Sequence, residues 1–325
     1  MERKKKILCP RLHPGREFAN SESADSKVIA VVGPTASGKT DLAVEIARLV
    51  GGEVISADSR QVYTGLDLGT GKVTKREMKG VPHHILDVAN PKRTMSVVQY
   101  ERLATRAIRD ILKRGKVPIV CGGTGLYVDA VLTTASFPAV PPNAQLRKEL
   151  EQLPAEKLFK KLQKLDSARA ETIDAKNPRR LIRAIEIAEA LGSVPLRTPA
   201  LERYDTLYIG LTLPKEELAE RIHTRLLARI RRGMVAEARR LHAAGLSWKR
   251  MESLGLEYRS LAQFLQKKIT REEMLETLAI AIRQYSKRQM VWFKRNNNIH
   301  WFKPTDTKDR KKIESLIKTF LRKNG

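Results

Sequence analysis

The sequence predicts an α/β fold in which a parallel sheet is flanked by helices and interrupted by an all-helical subdomain. Short apolar runs of strand length alternate with segments of helical periodicity in the first part of the chain, and strands alternating with helices form a parallel sheet with right-handed crossovers. From Asn143 to about Gly192 the pattern is helical and charged, and the strand pattern returns at Leu207–Leu213. A helical block between two strands of one sheet indicates an inserted subdomain.

The elements can be assigned in chain order. The β-branched run Val28–Val32 predicts the first strand, and the next helix, Lys39–Val50, ends at Gly51-Gly52, a typical C-terminal signal. The remaining predicted strands are Glu53–Ala57, His84–Val88, Val117–Cys121, Leu207–Leu213 and Ile299–Phe302. The other long helices are Ser96–Lys113 and one from about Arg271 to Lys294, and a basic helix closes the chain. The predicted domains are a disordered basic tail (1–26), a core (27–138 and 203–325) and the helical insert (139–202).

Gly33–Thr40 reads GPTASGKT, which is the pattern G-x-x-x-x-G-K-T of a phosphate-binding loop between a strand and a helix. Backbone N–H groups of such a loop, and of the helix N-terminus after it, point at an anion. We therefore expect Lys39 at the terminal phosphates and the hydroxyl of Thr40 at Mg²⁺. The predicted sheet is accordingly P-loop NTPase-like, although the motif does not specify which phosphate ligand is bound.

Asp58 and Thr124 each follow a predicted strand, as the phosphate loop does. Ligands of parallel sheets bind at the carboxyl ends of the strands, so one cleft is expected to contain all three. Asp58 could help to hold Mg²⁺ or act as the general base for an acceptor, and aspartate is also common in turns. The neighbouring Ser59, Arg60 and Gln61 add hydrogen-bonding groups that a base-reading pocket would need.

The 325 residues carry a formal net charge of +26. An excess of this size indicates a polyanionic partner, most often nucleic acid. The basic residues form three clusters, each of which could also be a solvated helix face: Arg179, Arg180 and Arg183; Arg221, Arg225, Arg229 and Arg232, on one helix face; and Arg283, Lys287, Arg288, Lys294 and Arg295, near Trp292 and Phe293. Basic residues with aromatic neighbours are typical of proteins that bind single-stranded RNA loops.

The cysteine count and the hydropathy pattern narrow the class of protein further. Cys9 and Cys121 are too few for a disulfide framework, and no apolar run approaches the length of a membrane span. We therefore expect a cytoplasmic protein with no membrane partner, and we expect a monomer.

The chain closely resembles the tRNA dimethylallyltransferase family, also called tRNA isopentenyltransferases, in its bacterial form. The resemblance covers about residues 28 to 303 and is more specific than the phosphate loop alone. The segments that carry it are GPTASGKT (Gly33–Thr40), SADSRQVYTGLDLGTGK (Ser56–Lys72), GVPHHILDV (Gly80–Val88), GGTGLYVDAV (Gly122–Val131), NPRRLIRAIEI (Asn177–Ile187) and YSKRQMVWFKR (Tyr285–Arg295).

The resemblance implies that the loop binds the diphosphate of dimethylallyl diphosphate rather than ATP. The acceptor would be the N6 amine of the adenine immediately 3′ of the anticodon, in tRNAs that read codons beginning with U. Asp58 would be the general base, Thr124 would contact the reacting centre, and Lys39 and Thr40 with Mg²⁺ would stabilise the leaving diphosphate. The implied diphosphate-binding residues are Gly33, Pro34, Thr35, Ala36, Ser37, Gly38, Lys39, Thr40, Arg221 and Arg225. Those implied for the tRNA anticodon stem-loop are Asp58, Ser59, Arg60, Gln61, Arg147, Arg179, Arg180, Leu181, Ile182, Arg183, Lys287, Arg288 and Gln289.

Two positions depart from the family pattern. The family commonly has glycine directly before the tyrosine that matches Tyr258, whereas this chain has Glu257 there and Gly255 two residues earlier. Arg229 stands where the family has methionine or another apolar residue. Both departures concern local contacts to tRNA rather than the chemistry.

Three other functions remain open on the residues alone. An ATP-dependent small-molecule kinase would use the loop and the sheet equally well, but it does not account for the charge of +26 or the arginine-rich insert. An isopentenyltransferase acting on free adenine nucleotides would share the loop and the base, but it has no use for the insert. An RNA-binding module with a degenerate nucleotide fold would not need intact Lys39, Thr40 and Asp58.

Overall fold

The computed structural model describes residues 26–135, 137–196 and 200–322, and the chain divides into two compact units. The first unit comprises Met1–Thr133 with Glu202–Gly325, and the second comprises Thr134–Leu201. The predicted basic tail lies outside the described residues apart from Ser26. Within the described part of the chain, no helix is long and apolar enough to cross a membrane.

The first unit contains, in its described residues, one sheet of six parallel strands. They are β1 (Lys27–Val32), β2 (Glu53–Ser56), β3 (His83–His84), β4 (Pro118–Gly122), β5 (Asp205–Leu211) and β6 (Ile299–Phe302). The strands lie in the order β3-β2-β4-β1-β5-β6, and each neighbouring pair is parallel. The predicted α/β class with a parallel sheet is confirmed.

Strand β3 is the one strand whose predicted extent is wrong. His84–Val88 was expected to be extended, but β3 consists of His83–His84 alone. The chain cannot stay extended beyond it, because Ile85 has a φ of 63° and Asp87 a φ of 56°. Asp87 turns towards Lys72, whose Nζ lies 2.5 Å from its Oδ1. The bounds of the other strands agree with the prediction to within two residues.

The helices are numbered along the chain. Those before the second unit are α1 (Lys39–Val50), α2 (Lys75–Met78), α3 (Val97–Lys113) and α4 (Gly125–Leu132). Those in the second unit are α5 (Ala144–Leu150), α6 (Ala155–Leu165), α7 (Ser167–Thr172) and α8 (Pro178–Leu191). Those after it are α9 (Lys215–Arg231), α10 (Met234–Ala243), α11 (Trp248–Ser253), α12 (Leu256–Leu265), α13 (Arg271–Phe293) and α14 (Thr307–Arg322).

Both faces of the sheet are covered, which explains why β1 is apolar along its length instead of alternating. Val28, Ala30 and Val32 pack into the core on one face, and Ile29 and Val31 pack into the core on the other. The sheet is therefore a rigid platform, and the chemistry is left to the loops at the carboxyl ends of its strands.

The second unit has a core of its own, formed by apolar side chains of α5, α6 and α8. A buried carboxylate, that of Glu186, lies beside this core. It accepts hydrogen bonds from Nε and Nη2 of Arg147, both at 2.7 Å, and from the N–H of Asn143. This network ties the loop before α5 to α8.

Candidate active site

Three loops meet at one edge of the sheet because their strands are neighbours. Val32 of β1 pairs with Gly122 of β4, so the phosphate loop starts beside Gly123. Ser56 of β2 pairs with Cys121 on the other side of β4. The structure thus brings the phosphate loop, the Gly122–Gly125 segment and Asp58 to the same edge.

The phosphate loop leads directly into α1. Gly38 stands before the helix with a φ of 91°, a conformation that glycine adopts at little cost. Nζ of Lys39 donates to the carbonyl of Pro34 at 2.5 Å. The buried hydroxyl of Ser37 has no hydrogen-bond partner among the described residues. A phosphate oxygen is the kind of group that would satisfy it.

The charge state of Lys39 is set by its surroundings. Burial, with a smaller contribution from the charge of Arg225, lowers the pKa of Lys39 to about 8. The carboxylate of Asp58 acts in the opposite direction and raises it. The charges of both side chains therefore act on Lys39, which links the phosphate loop to the segment after β2 and to α9.

A cavity of about 660 Å³ opens in front of the loop, and charged side chains line much of it. The cationic ones are Lys39, Lys72, Arg221, Arg225, Arg229 and Arg232, and the acidic ones are Asp41, Asp67, Glu77 and Glu220. Nη2 of Arg225 donates to the carbonyl of Gly71 at 3.0 Å, which fixes this guanidinium at the wall. Arg221 is half-buried and pairs with Glu217 at 3.0 Å. The excess of cations fits an anionic ligand.

The residues at the start of α1 could hold Mg²⁺ only together with a phosphate ligand. Among the described residues, no cluster of three or more His, Cys, Asp or Glu side chains is suited to bind a metal ion alone. Thr40 and Asp41 do line the cavity with oxygen donors. Mg²⁺ is commonly bound by one or two protein oxygens, water and substrate phosphates, so this donor set fits the ion.

The arginine stripe on α9 is not a uniform surface. Arg229, predicted as part of the basic stripe, is buried. Its Nη1 lies 3.1 Å from Oε1 of Glu257 and donates to the carbonyl of Gly69 at 3.0 Å. The two positions that depart from the family pattern therefore contact each other. The buried cation and the partly buried anion compensate one another, and they anchor the loop that carries Gly71.

On the other side of the edge, Asp58 is held by the backbone that follows it. Its Oδ1 accepts from the N–H groups of Arg60 at 2.8 Å and Gln61 at 3.3 Å. Thr124 Oγ1 accepts from the N–H of Ser59 at 3.1 Å, so Thr124 and the residue after Asp58 are joined directly. Asp58 is thus fixed in a loop whose next residue is bound to the hydroxyl of Thr124.

Tyr285 of α13 belongs to this side as well, although its role was not predicted. Its hydroxyl lies near Thr124 and Asp58, and burial, with the charge of Asp58, raises the pKa of Tyr285 to about 12. A neutral phenol next to Thr124 can position a substrate group, but it is not a base at neutral pH. The sequence does indicate its position, because Tyr285 lies in the YSKRQ segment four residues before Gln289, and residues at i and i+4 share a helix face.

The residues predicted on α13 for binding RNA differ in their exposure. Lys287 and Arg288 are exposed. Gln289 is buried, and its amide bonds to Thr35 and Gly123 instead of facing solvent. Both polar ends of the Gln289 side chain are therefore bound within the protein, and its assignment to RNA stays a prediction.

The second unit also separates its predicted RNA-binding residues into two groups. Arg179 and Arg180 are exposed at the start of α8. The side chains of Leu181 and Ile182 are buried in the core of the unit, and the assignment of these two residues to tRNA stays a prediction. Arg147 and Arg183 both contact Glu186.

Glu237 is a functional candidate that the sequence reasoning missed. Its buried carboxylate accepts from three successive backbone N–H groups, those of Asp67, Leu68 and Gly69, and from the hydroxyl of Tyr258. These bonds fix the loop that forms one wall of the cavity. A single glutamate on an amphipathic helix gave no sign of this in the sequence.

The chain matches the family model described as IPP transferase over residues 61–296. It is 47% identical over 272 residues to tRNA dimethylallyltransferase 2 of Treponema denticola, a match that covers 82% of this chain and 91% of the relative. It is 42% identical over 279 residues to tRNA dimethylallyltransferase 1 of Geotalea uraniireducens, with 84% and 91% covered.

The fold is also similar to solved structures. The crystal structure of a tRNA isopentenylpyrophosphate transferase from Bacillus halodurans matches with a TM-score of 0.70 at 37% identity, covering 91% of this chain and 97% of the other. A eukaryotic dimethylallyltransferase acting on tRNA matches with a TM-score of 0.75. At 24% identity, with 91% and 80% covered, this second likeness supports the fold alone.

Proposed function

The chain belongs to the IPP transferase family, and we propose that it is a tRNA dimethylallyltransferase. It transfers a dimethylallyl group from dimethylallyl diphosphate to N6 of the adenine 3′-adjacent to the anticodon, in tRNAs that read codons beginning with U, and it releases diphosphate. One observation carries the proposal: a cavity lined by cations at the phosphate loop lies at the same sheet edge as a fixed carboxylate, Asp58.

On the donor side, the diphosphate binds in front of the phosphate loop. Negative charge grows on its oxygens as the bond to the allylic carbon breaks. This charge is neutralised by backbone N–H groups of the loop and by Lys39, Arg221 and Arg225. Mg²⁺, held by Thr40 together with the diphosphate, would supply further neutralisation of that charge. The buried hydroxyl of Ser37 gains a phosphate oxygen as its partner.

On the acceptor side, the adenine amine approaches between Asp58 and Thr124. The N6 lone pair attacks C1 of the dimethylallyl group, and the C1–O bond breaks with its electron pair going to the diphosphate. The N6 proton passes to the carboxylate of Asp58. Because an aryl amine is a weak nucleophile, the reaction depends on this base and on a close approach of the reacting atoms.

The RNA partner accounts for the exposed cations that the donor does not need. Lys287 and Arg288 on α13, and Arg179 and Arg180 at the start of α8, are exposed and can neutralise backbone phosphates. The target base must leave the stack of the anticodon loop, which costs less than in a duplex. Phosphate contacts offset that cost.

A transfer assay tests the proposal. Protein, Mg²⁺ and labelled dimethylallyl diphosphate are incubated with an unmodified anticodon stem-loop, with the same RNA lacking the adenine 3′ of the anticodon, with AMP, or without acceptor. Label in the first RNA alone is the expected result. Label in AMP alone would assign the protein to the enzymes that act on free nucleotides. If no acceptor is labelled and ATP is consumed with another acceptor, the kinase alternative holds.

A further inference from the structure

Gln289 of α13 joins two loops of the candidate site. The residue is only 6% exposed. Its Oε1 accepts from the N–H of Thr35 at 2.8 Å, and its Nε2 donates to the carbonyl of Gly123 at 2.8 Å. One buried side-chain amide therefore connects the phosphate loop after β1 to the segment after β4.

Helix α13 packs tightly against the segment after β4. A Cβ atom on Gly123 would lie 2.1 Å from Nε2 of Gln289, and one on Gly125 would lie 2.1 Å from Cδ1 of Trp292. Trp292, three residues further along α13, donates from Nε1 to Asp129 at 3.0 Å. Because the glycines leave no gap, the helix and the Gly122–Gly125 segment hold each other in one position.

The chemistry of the amide suits this role. An uncharged group with a donor and an acceptor can satisfy a backbone N–H and a backbone carbonyl at once. Lysine or arginine offers only donors, and glutamate offers only acceptors when it is ionised. Gln289 is thus matched to two backbone partners, and both of them are next to groups that act on substrate.

We propose that Gln289 is a positioning residue that sets the spacing between the phosphate loop and Thr124, and that it does not bind RNA. The proposal rests on the transfer reaction proposed above, since the two loops hold the donor and the acceptor of that reaction. Reacting atoms must approach to about 3–3.5 Å, and a displacement of about 1 Å can cost about 100-fold in rate. Loss of the Gln289 amide should therefore lower the rate of transfer while substrates still bind.

The test uses Gln289→Met, which keeps a similar volume and removes both hydrogen bonds. The matched control is Gln284→Met, the same substitution at an exposed position of the same helix. Single-turnover transfer at saturating donor and RNA gives the rate, and RNA binding without donor gives the affinity. We expect the rate of Gln289→Met to fall by about 10- to 100-fold, with the RNA affinity unchanged, and Gln284→Met to change neither. Lys287→Ala should show the opposite pattern, with weaker RNA binding.

A second variant breaks the same contact from the other side. Gly123→Ala places a Cβ where Nε2 of Gln289 lies. If the two residues act as one unit, Gly123→Ala combined with Gln289→Ala should be no slower than Gly123→Ala alone. Additive losses, an unchanged transfer rate in Gln289→Met, or RNA affinity that falls in step with the rate would each overturn the proposal.

Hydrogen exchange without any substrate separates this proposal from the proposed function. In Gln289→Met, amide exchange should become faster both in 33–40 and in 122–125, whereas Gln284→Met should match the wild type. If the wild-type protein transfers no label but Gln289→Met shows this faster exchange, the proposed function is wrong and the link between the loops stands. If exchange is unchanged in either loop, the link itself is refuted.

Discussion

The donor side and the acceptor side of the candidate site are built differently. The donor side is a cavity with charges on its walls, among them Lys39 and Arg225. The acceptor side centres on one carboxylate, Asp58, which two backbone N–H groups hold in a loop that also contacts the hydroxyl of Thr124. Several charges suit the binding of an anion, and a fixed carboxylate suits the removal of one proton. Changes on the two sides should therefore appear in different measurements.

The largest effect is expected on the acceptor side. Asp58→Ala removes the base, so transfer should slow by about 10²–10⁴-fold, while the affinity for dimethylallyl diphosphate and RNA stays near that of the wild type. Single-turnover transfer and separate binding titrations measure the two quantities. Asp58→Asn keeps an acceptor for the N–H of Arg60 and should be equally slow. Near-normal transfer in either variant would rule out Asp58 as the base.

Two arginines one turn apart on α9 should have different roles on the donor side. Arg225→Ala should weaken donor binding by about 10- to 100-fold, because a charged donor to the diphosphate is lost. Arg229→Ala should instead lower the free energy of unfolding by about 3 kcal/mol, because Glu257 loses its buried partner. Donor titration and denaturant unfolding separate the two.

The pair of Arg229 and Glu257 provides its own control. Arg229→Met combined with Glu257→Gln removes both charges, so this double variant should regain most of the stability that Arg229→Ala loses. If Arg229→Ala weakens donor binding without changing the free energy of unfolding, Arg229 acts on the ligand and the division between the two arginines is wrong.

The wall of the cavity depends on Glu237. Glu237→Ala leaves the N–H groups of Asp67, Leu68 and Gly69 without their acceptor, which should cost about 2–3 kcal/mol of unfolding free energy. Donor affinity should fall with it, because the wall is no longer fixed. Asp58→Ala lacks the effect on donor affinity. A Glu237→Ala protein with wild-type stability would show that the loop does not need this carboxylate.

The smallest effect is a pH dependence of donor binding. The pKa of Lys39 is lowered to about 8, so the ammonium group is present below pH 8 and is lost as the pH rises above it. Donor affinity should fall between pH 8 and 9.5, by at most about tenfold per pH unit. Lys39→Arg stays charged over this range and should lack the decline. A wild-type affinity that is constant up to pH 9.5 would contradict this explanation.

Local signals explain which elements could be predicted from the sequence. Helix α1 has the predicted bounds because Gly38 and Gly51-Gly52 mark its ends. The parallel sheet follows from the alternation of strands and helices. The extent of β3 could not be predicted in this way, because the positive φ of Asp87 accompanies an ion pair with Lys72, fifteen residues earlier. A contact that depends on the folded loop leaves no periodic trace in the sequence.

The part of the candidate site that could not be predicted is which of its polar side chains are buried. The spacing on α9 correctly gave Arg225 and Arg229 a common helix face, but it could not tell which guanidinium would be covered. Gln289 was grouped with its basic neighbours, although it follows the buried Ile282 by seven residues and precedes the buried Phe293 by four. That periodicity assigns Gln289 to the core-facing side of α13. A polar side chain at a core-facing position is a better indication of a buried link than of a ligand contact.

The cavity at the phosphate loop should hold the prenyl diphosphate, while the proton of the acceptor amine is removed by Asp58 on the other side of the site. The most direct measurement is a calorimetric titration with dimethylallyl diphosphate and Mg²⁺, without RNA, of the wild type, Lys39→Ala and Asp58→Ala. We predict one binding site per chain, at least about tenfold weaker binding in Lys39→Ala, and unchanged binding in Asp58→Ala. Binding that survives Lys39→Ala but is lost in Asp58→Ala would show that the diphosphate binds at Asp58 and not at the phosphate loop.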